Sequence, residues 1–374
     1  MFPSLLHFCL NQRCLHEIFV SSPKTTFGSQ RFATVRGIVM SKRKAPDTSN
    51  NLNHDLCDFL TELANYERNV NKNVFKYNAY RKASNTLAGL PERVKSGKEA
   101  KKLPGIGDKI AKKIDEFLDT GKLRKLEDIR KDESNVAINL LTRITGIGPA
   151  KAKELVNAGI TTIEDLKKNQ DKLTHHQKIG LKYFEDFETK IPREEIEALE
   201  SVVKKSITDI DKDYIVTICG SYRRGKQQSG DIDVLLTHPS YTSESKEAKK
   251  HSTLLKSVVK KLEDEKLITD TISHGDSKFM GVCRLDEDKP FRRIDIRLAP
   301  HDQYYCAVLY FTGSDLFNQN MRMHALEKKY TLNEYTLKKL TPEGTPGNAE
   351  NISCEEDIFK IIGMPYKKPE ERNV

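Results

Sequence analysis

The chain has 374 residues, enough for two or three domains with hydrophobic cores of their own, which excludes a single small binding module. Hydrophobic residues make up 37% of the chain and charged residues 31%, and the charges are spread along the sequence, which excludes a largely disordered protein. The formal net charge of +9 favours a polyanionic partner, nucleic acid above all, because basic side chains that neutralise phosphates release bound counterions.

Residues 1–39 differ from the rest of the chain. They are apolar, rich in hydroxyl side chains and contain one acidic residue, Glu17. This composition predicts a mitochondrial transit peptide, and the alternative is an upstream start codon, because Met40 opens a second plausible beginning. We expect the nucleus and cytoplasm as locations, with Lys42-Arg43-Lys44 as a short basic cluster for import, and the mitochondrion if residues 1–39 are translated.

From residue 51 to about residue 199, apolar residues recur at intervals of three and four, which predicts helices. One unit occurs twice there, as Leu103-Pro-Gly-Ile-Gly and as Ile144-Thr-Gly-Ile-Gly. Each copy places backbone N–H groups at the start of a helix, where they can hold a phosphate. The repeat predicts two helix-hairpin-helix motifs that grip a DNA backbone, and two ordinary glycine turns are the alternative. The glycines concerned are Gly105, Gly107, Gly146 and Gly148.

After Pro192 the period of the pattern changes to two. Segments that begin at Tyr214, Asp231 and Arg293 alternate in the manner of half-buried strands. We therefore predict a mixed sheet with flanking helices, followed from about residue 304 by a smaller α/β lobe with a turn-rich segment after Thr341. The seven cysteines are scattered without a Cys-x-x-Cys pair, which is typical of a protein in a reducing compartment. The sequence contains no run of about 18 apolar residues, so we expect no membrane-spanning helix.

Three aspartates form the most specific pattern in the chain. Residues two apart on a strand point to the same side, so Asp231 and Asp233 project together and require a cation between them. Asp295, flanked by isoleucines, is spaced to join them from a neighbouring strand. Such a triad can hold two magnesium ions about 3.5–4 Å apart for an in-line phosphoryl transfer. Before the triad, the turn at Gly220-Ser221 supplies phosphate donors and Arg224 offers a bidentate grip on phosphate.

From about Met40 onward, the sequence resembles the X family of DNA polymerases, in particular the polymerase beta type. The resemblance rests on the Gly-Ser-x-Arg-Arg-Gly loop at Gly220, the three aspartates, both hairpins and the segment Tyr310-Phe-Thr-Gly-Ser-Asp. It implies an α+β multidomain protein with an all-α helix-hairpin-helix lyase domain, a nucleotidyltransferase-type mixed-sheet palm and a small α/β C-terminal lobe. The implied boundaries are 50–128 for the lyase domain, 129–190 for a DNA-binding subdomain with the second hairpin, 191–302 for the catalytic palm and 303–374 for a nucleotide-selecting subdomain.

The resemblance also implies a function. The protein would be a template-directed DNA polymerase that fills short gaps in base excision repair, with two Mg²⁺ ions on Asp231, Asp233 and Asp295 and with Na⁺ or K⁺ at the hairpins. Its partners would be gapped or nicked DNA, deoxynucleoside triphosphates and other base excision repair proteins, and we expect a monomer that does not contact a membrane. We find no motif of a proofreading exonuclease and expect no such activity.

Further residues take roles by the same resemblance. The incoming nucleotide would contact Lys190, Ser221, Arg224, Gly230, Asp231, Tyr310, Phe311, Gly313, Asp315 and Asn318. DNA would contact Lys76, Tyr80, Lys109, Lys125, Arg293, Arg322 and the four hairpin glycines. The backbone carbonyls of Lys101, Leu103 and Ile106 would hold one monovalent cation, and those of Thr142, Ile144 and Ile147 the other. The departures from the family pattern are Lys190 in place of arginine, Gln319 in place of lysine and Phe75 in place of histidine.

A lysine cluster predicts a second reaction. Lys109 and Lys113 stand four apart on the helix after the first hairpin, with Lys112 beside them and Lys76 expected nearby. Neighbouring ammonium groups lower one another's pKa, which frees a lysine to attack an aldehyde, whereas an exposed basic face is the alternative on these residues alone. By resemblance, Lys113 forms a Schiff base with the 5′-deoxyribose phosphate left by base excision, and β-elimination then removes the sugar.

Two other functions stay open on the sequence. One is a template-independent nucleotidyltransferase with the same metal triad, such as a terminal transferase or an RNA-tailing enzyme. The other is a DNA-binding repair scaffold without catalysis. The paired hairpins and the segment at Tyr310 argue against the RNA enzymes, and the three intact aspartates together with Lys113 argue against the scaffold.

Overall fold

The computed structural model describes residues 51–244 and 248–373, all of which belong to the compact unit Lys42–Val374. The predicted transit peptide or upstream segment, residues 1–39, lies outside the described residues, as do Met40 and the basic cluster that follows it. No helix in the described ranges is long and apolar enough to cross a membrane.

The N-terminal part of the described chain is helical. Its α-helices are α1 (His54–Asn69), α2 (Val74–Ala88), α3 (Gly97–Ala100), α4 (Asp108–Thr120), α5 (Arg124–Lys131), α6 (Glu133–Leu141), α7 (Pro149–Asn157), α8 (Ile163–Lys168), α9 (His175–Lys182) and α10 (Phe184–Glu188). The spacing of three and four residues explains the burial, since Ile110, Ala111 and Ile114 of α4 lie on one buried face. One core gathers apolar residues between positions 56 and 129, and a second gathers those between 138 and 181.

The two glycine repeats adopt the same backbone conformation. Gly105 and Gly146 have φ values of +83° and +88°, which glycine adopts at no steric cost. Gly107 and Gly148 are the N-cap residues of α4 and α7, and both have an extended ψ of 173°. The predicted pair of helix-hairpin-helix motifs is therefore present as two equivalent turns.

A five-stranded mixed sheet forms the centre of the next region. The elements are β1 (Ile191–Pro192), α11 (Arg193–Thr208), β2 (Ile215–Ile218), α12 (Gly220–Arg223), β3 (Gln228–Ser229), β4 (Ile232–Thr237), α13 (Ala248–Asp264), β5 (Ile268–His274), β6 (Lys278–Cys283) and β7 (Arg292–Leu298). The strand order is β2-β4-β7-β6-β5, and β1 pairs with β3 in a separate two-stranded sheet. Strands β4 and β7 are parallel, whereas the other neighbours in the large sheet are antiparallel. The predicted mixed sheet is confirmed.

The expectation that the segment beginning at Asp231 is half-buried is wrong for most of β4. Residues 234–237 are all buried, because helices cover both faces of the sheet. Val234 and Leu236 pack in the core that includes α11 and α13, whereas Leu235 packs against Ala307 and Val308 on the opposite face. A strand covered on both sides needs apolar residues at successive positions, which hides the two-residue period.

The C-terminal lobe combines helices with a small sheet, as predicted. Its elements are α14 (Tyr304–Thr312), α15 (Asp315–Glu327), β8 (Tyr330–Leu332), β9 (Leu337–Leu340), β10 (Pro346–Ala349) and α16 (Glu355–Ile361). Strands β8, β9 and β10 form an antiparallel sheet, so part of the turn-rich segment after Thr341 is a strand. The α+β multidomain fold class is confirmed.

Candidate active sites

The three aspartates lie at the junction of two parallel strands. Asp233 of β4 and Asp295 of β7 are direct register partners, and Asp231 stands one residue before β4 begins. The parallel pairing therefore brings together Asp233 and Asp295, which are 62 residues apart in the sequence. The sequence prediction that they share one side of a sheet agrees with this geometry.

The environment of the triad is unfavourable for negative charge without a cation. Asp295 is buried, and its Oδ1 has no hydrogen-bond partner among the described residues. Burial, together with the charge of Asp295, raises the pKa of Asp233 to about 6. A buried carboxylate oxygen without a donor, next to a second carboxylate, fits a divalent cation that takes oxygen ligands.

Arg293 lies beside the three aspartates. Its guanidinium forms an ion pair with Asp231, and its Nε lies 4.0 Å from Oδ1 of Asp295. Because Arg293 is two residues before Asp295 on β7, both side chains emerge on the same side of the sheet. In this structure the arginine neutralises part of the carboxylate charge.

The loop that begins at Gly220 approaches the triad closely. Gly220 has a φ of +61°, and an added Cβ there would lie 2.5 Å from Oδ2 of Asp233. Ser221 Oγ donates a hydrogen bond to Ser229 Oγ at 2.9 Å. On the other side of the loop, Lys190 Nζ lies 3.3 Å from the position that a Cβ at Gly230 would take. Three predicted phosphate contacts, Lys190, Ser221 and Gly230, thus lie around one short segment.

An open cleft of about 1100 Å³ contains Asp231 and Asp233. Arg224 lines it and donates through Nη1 to the carbonyl oxygen of Thr312 at 2.5 Å, and burial lowers the pKa of this arginine. Asn318 lines it too, and its Nδ2 donates to the carbonyl oxygen of Tyr310 at 2.8 Å. The other predicted nucleotide contacts in the lining are Ser221, Tyr310, Phe311, Gly313 and Asp315, and Gln319 also lies there.

Arg322 lies on α15 with Asp315 and Asn318, as the resemblance implied. Its guanidinium lies over the Tyr310 ring, 5.0 Å from the centroid, and 3.5 Å from Oε2 of Glu334. Arg322 is not among the residues that line the cleft. Arg322 therefore contacts a residue of the cleft lining, Tyr310, rather than the cleft itself.

Sequence reasoning missed several residues of the cleft. Arg297 of β7 lines it and lies over the Phe311 ring, 4.6 Å from the centroid. The signal was available, because Arg297 follows Asp295 by two residues on one strand. Arg81 and Lys82 line the cleft from α2, and no local pattern in the sequence pointed to this contact.

The predicted lysines gather around a buried carboxylate. Glu67 is 0% exposed, and its carboxylate lies 2.7 Å from Lys125 Nζ and 3.7 Å from Lys76 Nζ. Burial alone would raise the pKa of Glu67, but the hydrogen bonds from Lys125 and Asn71 and the two positive charges hold it below its ordinary value. Sequence reasoning missed Glu67, although its place seven residues after Leu60 on α1 puts it on the buried face.

Lys113 lies on the same side of the helical region. Its Nζ donates to the carbonyl oxygen of Lys109 at 3.1 Å. Burial and the nearby charges of Lys125 and Lys109 lower the pKa of Lys113. Tyr80 is buried one turn after Lys76. A partly buried amine with a lowered pKa is the kind of group that attacks a carbonyl carbon.

Phe75 departs from the family pattern and is the most exposed large hydrophobic residue that the structure describes. Its side chain is 90% exposed on the first turn of α2, next to Val74, which is also exposed. The ring is therefore accessible to a base.

The hairpin residues fit contacts to a phosphate backbone. A Cβ added at Gly107 or Gly148 would meet no atom within 4 Å, so both turns face open space. The carbonyl oxygens of Leu103 and Ile144 each accept a hydrogen bond from the residue three positions later. Lys101 has its Nζ 2.5 Å from Oδ1 of Asp108, at the start of α4. The other carbonyl positions predicted for a cation are Ile106, Thr142 and Ile147, which lie in the same two turns.

Four domain models match the chain in order. Residues 51–123 match a helix-hairpin-helix domain, and residues 139–188 match the fingers domain of DNA polymerase lambda. Residues 190–301 match the DNA polymerase beta palm, and residues 307–373 match the DNA polymerase beta thumb.

Three curated relatives are similar over most of the chain. DNA polymerase lambda of Arabidopsis thaliana is 35% identical over 347 residues, which is 88% of this chain and 63% of that protein. DNA polymerase lambda of Rattus norvegicus is 34% identical over 317 residues, or 82% of this chain and 54% of that protein. DNA-directed DNA/RNA polymerase mu of Homo sapiens is 28% identical over 393 residues, or 96% of this chain and 76% of that protein.

The chain spans 63% and 54% of the length of the two polymerase lambda relatives. The palm and thumb models carry the name of polymerase beta, whereas the fingers model and two relatives carry the name of polymerase lambda, so the expected likeness to polymerase beta in particular is not confirmed. Residues 51–123, 139–188, 190–301 and 307–373 thus match, in order, a helix-hairpin-helix model and the fingers, palm and thumb models of DNA polymerases lambda and beta.

Proposed function

We propose that the protein is a template-directed DNA polymerase that fills short gaps in base excision repair. The observation that carries the proposal is the register of Asp233 with Asp295, which aligns two carboxylates beside Asp231. Asp231 and Asp233 face a cleft large enough for a nucleotide, and the surrounding domain models are those of DNA polymerases.

The proposal includes two Mg²⁺ ions held by the three aspartates. When bound, the metals would lower the pKa of the primer 3′-hydroxyl and neutralise charge on the triphosphate. Asp231 and Asp233 would hold both ions, and Asp295 would help to activate the primer 3′-hydroxyl. Because Arg293 pairs with Asp231 in this structure, its guanidinium would have to release that carboxylate when the metals bind.

Lys190, Ser221 and Arg224 would bind the triphosphate. The hydroxyl of Ser221 lies at the start of a helix that begins beside Asp233, where it can donate to a phosphate oxygen. Lys190 supplies a compact positive charge without the fork of an arginine, so its contact with phosphate would be less directional.

The segment from Tyr310 to Gly313 would select deoxynucleotides. Gly313 has a φ of +67°, and a Cβ there would lie 3.3 Å from Arg224 Nη1, so the backbone runs close to the cleft. Little room would remain for a ribose 2′-hydroxyl. Asp315 and Asn318 would contact the nascent base pair and Arg322 the template strand, all from α15. Gln319, in place of lysine, offers an amide instead of a positive charge at the template side.

We further propose a 5′-deoxyribose-phosphate lyase in the helical region. The free amine of Lys113 would attack C1′ of the open-chain sugar, and loss of water would leave a Schiff base. Removal of a proton from C2′ would then break the C3′–O bond and release the DNA phosphate. Lys76, Lys109 and Lys125, with Tyr80, would bind the 5′-phosphate and the DNA.

Several further elements belong to this proposal. Both hairpins would bind the DNA backbone with Na⁺ or K⁺ on their carbonyls, and Phe75 would stack on a base. Other base excision repair proteins would be partners of a monomeric enzyme. The nucleus and cytoplasm would be its location, with the mitochondrion added if residues 1–39 are translated.

The test is single-nucleotide insertion on a gapped duplex that carries a 5′-deoxyribose phosphate. We expect Asp295→Ala to lose templated insertion and keep lyase activity, and Lys113→Ala to do the reverse. Asp264→Ala and Lys122→Ala, at exposed positions outside both sites, serve as matched controls. Trapping with borohydride should link the protein to DNA unless Lys113 is replaced.

The outcomes separate the proposal from its rivals. Addition of nucleotides regardless of the template would favour a template-independent transferase. Absence of both insertion and borohydride trapping in the intact protein would favour the scaffold, and unchanged insertion in Asp295→Ala with unchanged trapping in Lys113→Ala would refute both assigned sites.

A further inference from the structure

We propose that Asn373 is a positioning residue for Arg224 and thereby sets the affinity for the incoming nucleotide. The inference rests on the proposed function, in which Arg224 binds the triphosphate. It adds a residue to that site from a segment in which the sequence showed no motif.

The side-chain amide of Asn373 bonds to both the backbone and the side chain of Arg224. Oδ1 of Asn373 accepts a hydrogen bond from Arg224 Nε at 3.0 Å, and Nδ2 donates to the carbonyl oxygen of Arg224 at 2.8 Å. The same Nδ2 donates to the carbonyl oxygen of Glu370 at 3.0 Å, which fixes the rotation of the amide. One amide thus bonds to both ends of the arginine.

The guanidinium is held at two of its nitrogen atoms. Nε donates to Asn373, and Nη1 donates to the carbonyl oxygen of Thr312 at 2.5 Å. Neither bond uses Nη2, which stays available for a phosphate oxygen. Because Arg224 lines the cleft that contains Asp231 and Asp233, a fixed plane directs this donor within the nucleotide site.

Asn373 is itself fixed by the residue before it. Arg372 is 0% exposed, and its Nη1 donates to Oε1 of Glu355 at 2.6 Å while its Nε donates to the carbonyl oxygen of Lys367 at 3.0 Å. Its guanidinium lies within 5.8 Å of the centroids of three aromatic rings in the C-terminal lobe. These rings belong to Phe317, Phe359 and Tyr366.

The anchor and its target belong to different regions. Arg372 packs against α15 and α16 of the C-terminal lobe, whereas Arg224 is the C-cap of α12, beside β4 of the large sheet. Asn373 therefore fixes the arginine of one region to a rigid point on the other. Without Asn373, the side chain of Arg224 would be mobile in the free protein and would lose rotamer freedom only when the nucleotide binds. That entropy cost would weaken nucleotide binding.

The experiment measures the apparent Kd of the correct deoxynucleoside triphosphate and the maximal insertion rate in single turnovers on gapped DNA. We expect Asn373→Ala to raise the apparent Kd about five- to tenfold, the effect typical of losing hydrogen bonds to a charged group, and to change the rate by less than about twofold. Asn351→Ala, at another exposed asparagine in the same lobe, is the matched control. Thermal unfolding without nucleotide shows whether Asn373→Ala remains folded.

A double-mutant cycle separates positioning from a general structural effect. If Asn373 acts through Arg224, adding Asn373→Ala to Arg224→Ala will not raise the apparent Kd further. An equal increase in both backgrounds, or an unchanged apparent Kd in Asn373→Ala alone, would overturn the inference and leave the proposed function intact. If Arg224→Ala itself binds the nucleotide normally, the triphosphate assignment in the proposed function fails, and the inference fails with it.

Discussion

Asp233 of β4 and Asp295 of β7 are register partners in a parallel pair of strands. Burial and the charge of Asp295 raise the pKa of Asp233 from 3.8 to about 6. The folded state therefore binds a proton more tightly than the unfolded state does. The ionised form of Asp233 therefore destabilises the folded protein. This destabilisation is fully present above pH 6 and disappears as the pH falls toward 3.8.

We predict that Asp233→Asn raises the melting temperature of the metal-free protein by a few degrees at pH 7.5, because a buried negative charge is removed. At pH 4 the difference should nearly vanish. Mg²⁺ should stabilise the wild type more than this variant. Scanning calorimetry in EDTA and in Mg²⁺ measures both effects, and Asp264→Asn is the control. A lower melting temperature for Asp233→Asn in EDTA would contradict the prediction.

Replacing Arg293 should have the opposite effect in the absence of metal. Because its guanidinium pairs with Asp231 and lies near Asp295, Arg293→Met leaves the carboxylates to repel one another. We expect a lower melting temperature in EDTA and a larger rise on adding Mg²⁺, since the metal no longer competes with a resident cation. Arg124→Met, at an exposed position, is the control. An unchanged Mg²⁺ response would show that the ion pair does not oppose metal binding.

The lyase reaction should depend on pH through Lys113. Its reactive form is the unprotonated amine, and burial together with Lys125 lowers its pKa, so more free amine is present near neutral pH. Lys125→Met removes one positive charge and should move the rise of the single-turnover lyase rate to higher pH. Lys131→Met, on the same helix as Lys125, is the control. A profile that stays in place would mean that Lys125 does not affect the amine.

Two glycines near the first hairpin should respond differently to a methyl group. At Gly97 a Cβ would lie 2.2 Å from the carbonyl oxygen of Ala111, so Gly97→Ala should destabilise the protein by about 1–3 kcal/mol. At Gly107 a Cβ would meet no atom within 4 Å, so Gly107→Ala should cost little stability. It should nevertheless weaken binding to gapped DNA, since the methyl group stands before the backbone N–H groups. Denaturant unfolding and fluorescence anisotropy measure the two effects, and equal stability losses would refute the contrast.

The sequence by itself determined features that depend on short spacings. The three- and four-residue period predicted the helical half, the repeated Gly-Ile-Gly predicted both hairpins, and the alternation around Asp231 and Asp295 predicted that the carboxylates share one side of a sheet. These features follow from the local geometry of the backbone, which a few neighbouring residues decide.

Only the tertiary structure decided the contacts between distant segments. Asn373 meets Arg224 across 149 residues, and Glu67 meets Lys125 across 58. Neither contact produces a periodic pattern in the sequence, because each is created by the packing of whole helices and lobes. The burial of residues 234–237 on both faces of β4 has the same origin, since the covering helices lie far along the chain. Local spacing identified the chemical groups, and long-range packing set their partners, charge and exposure.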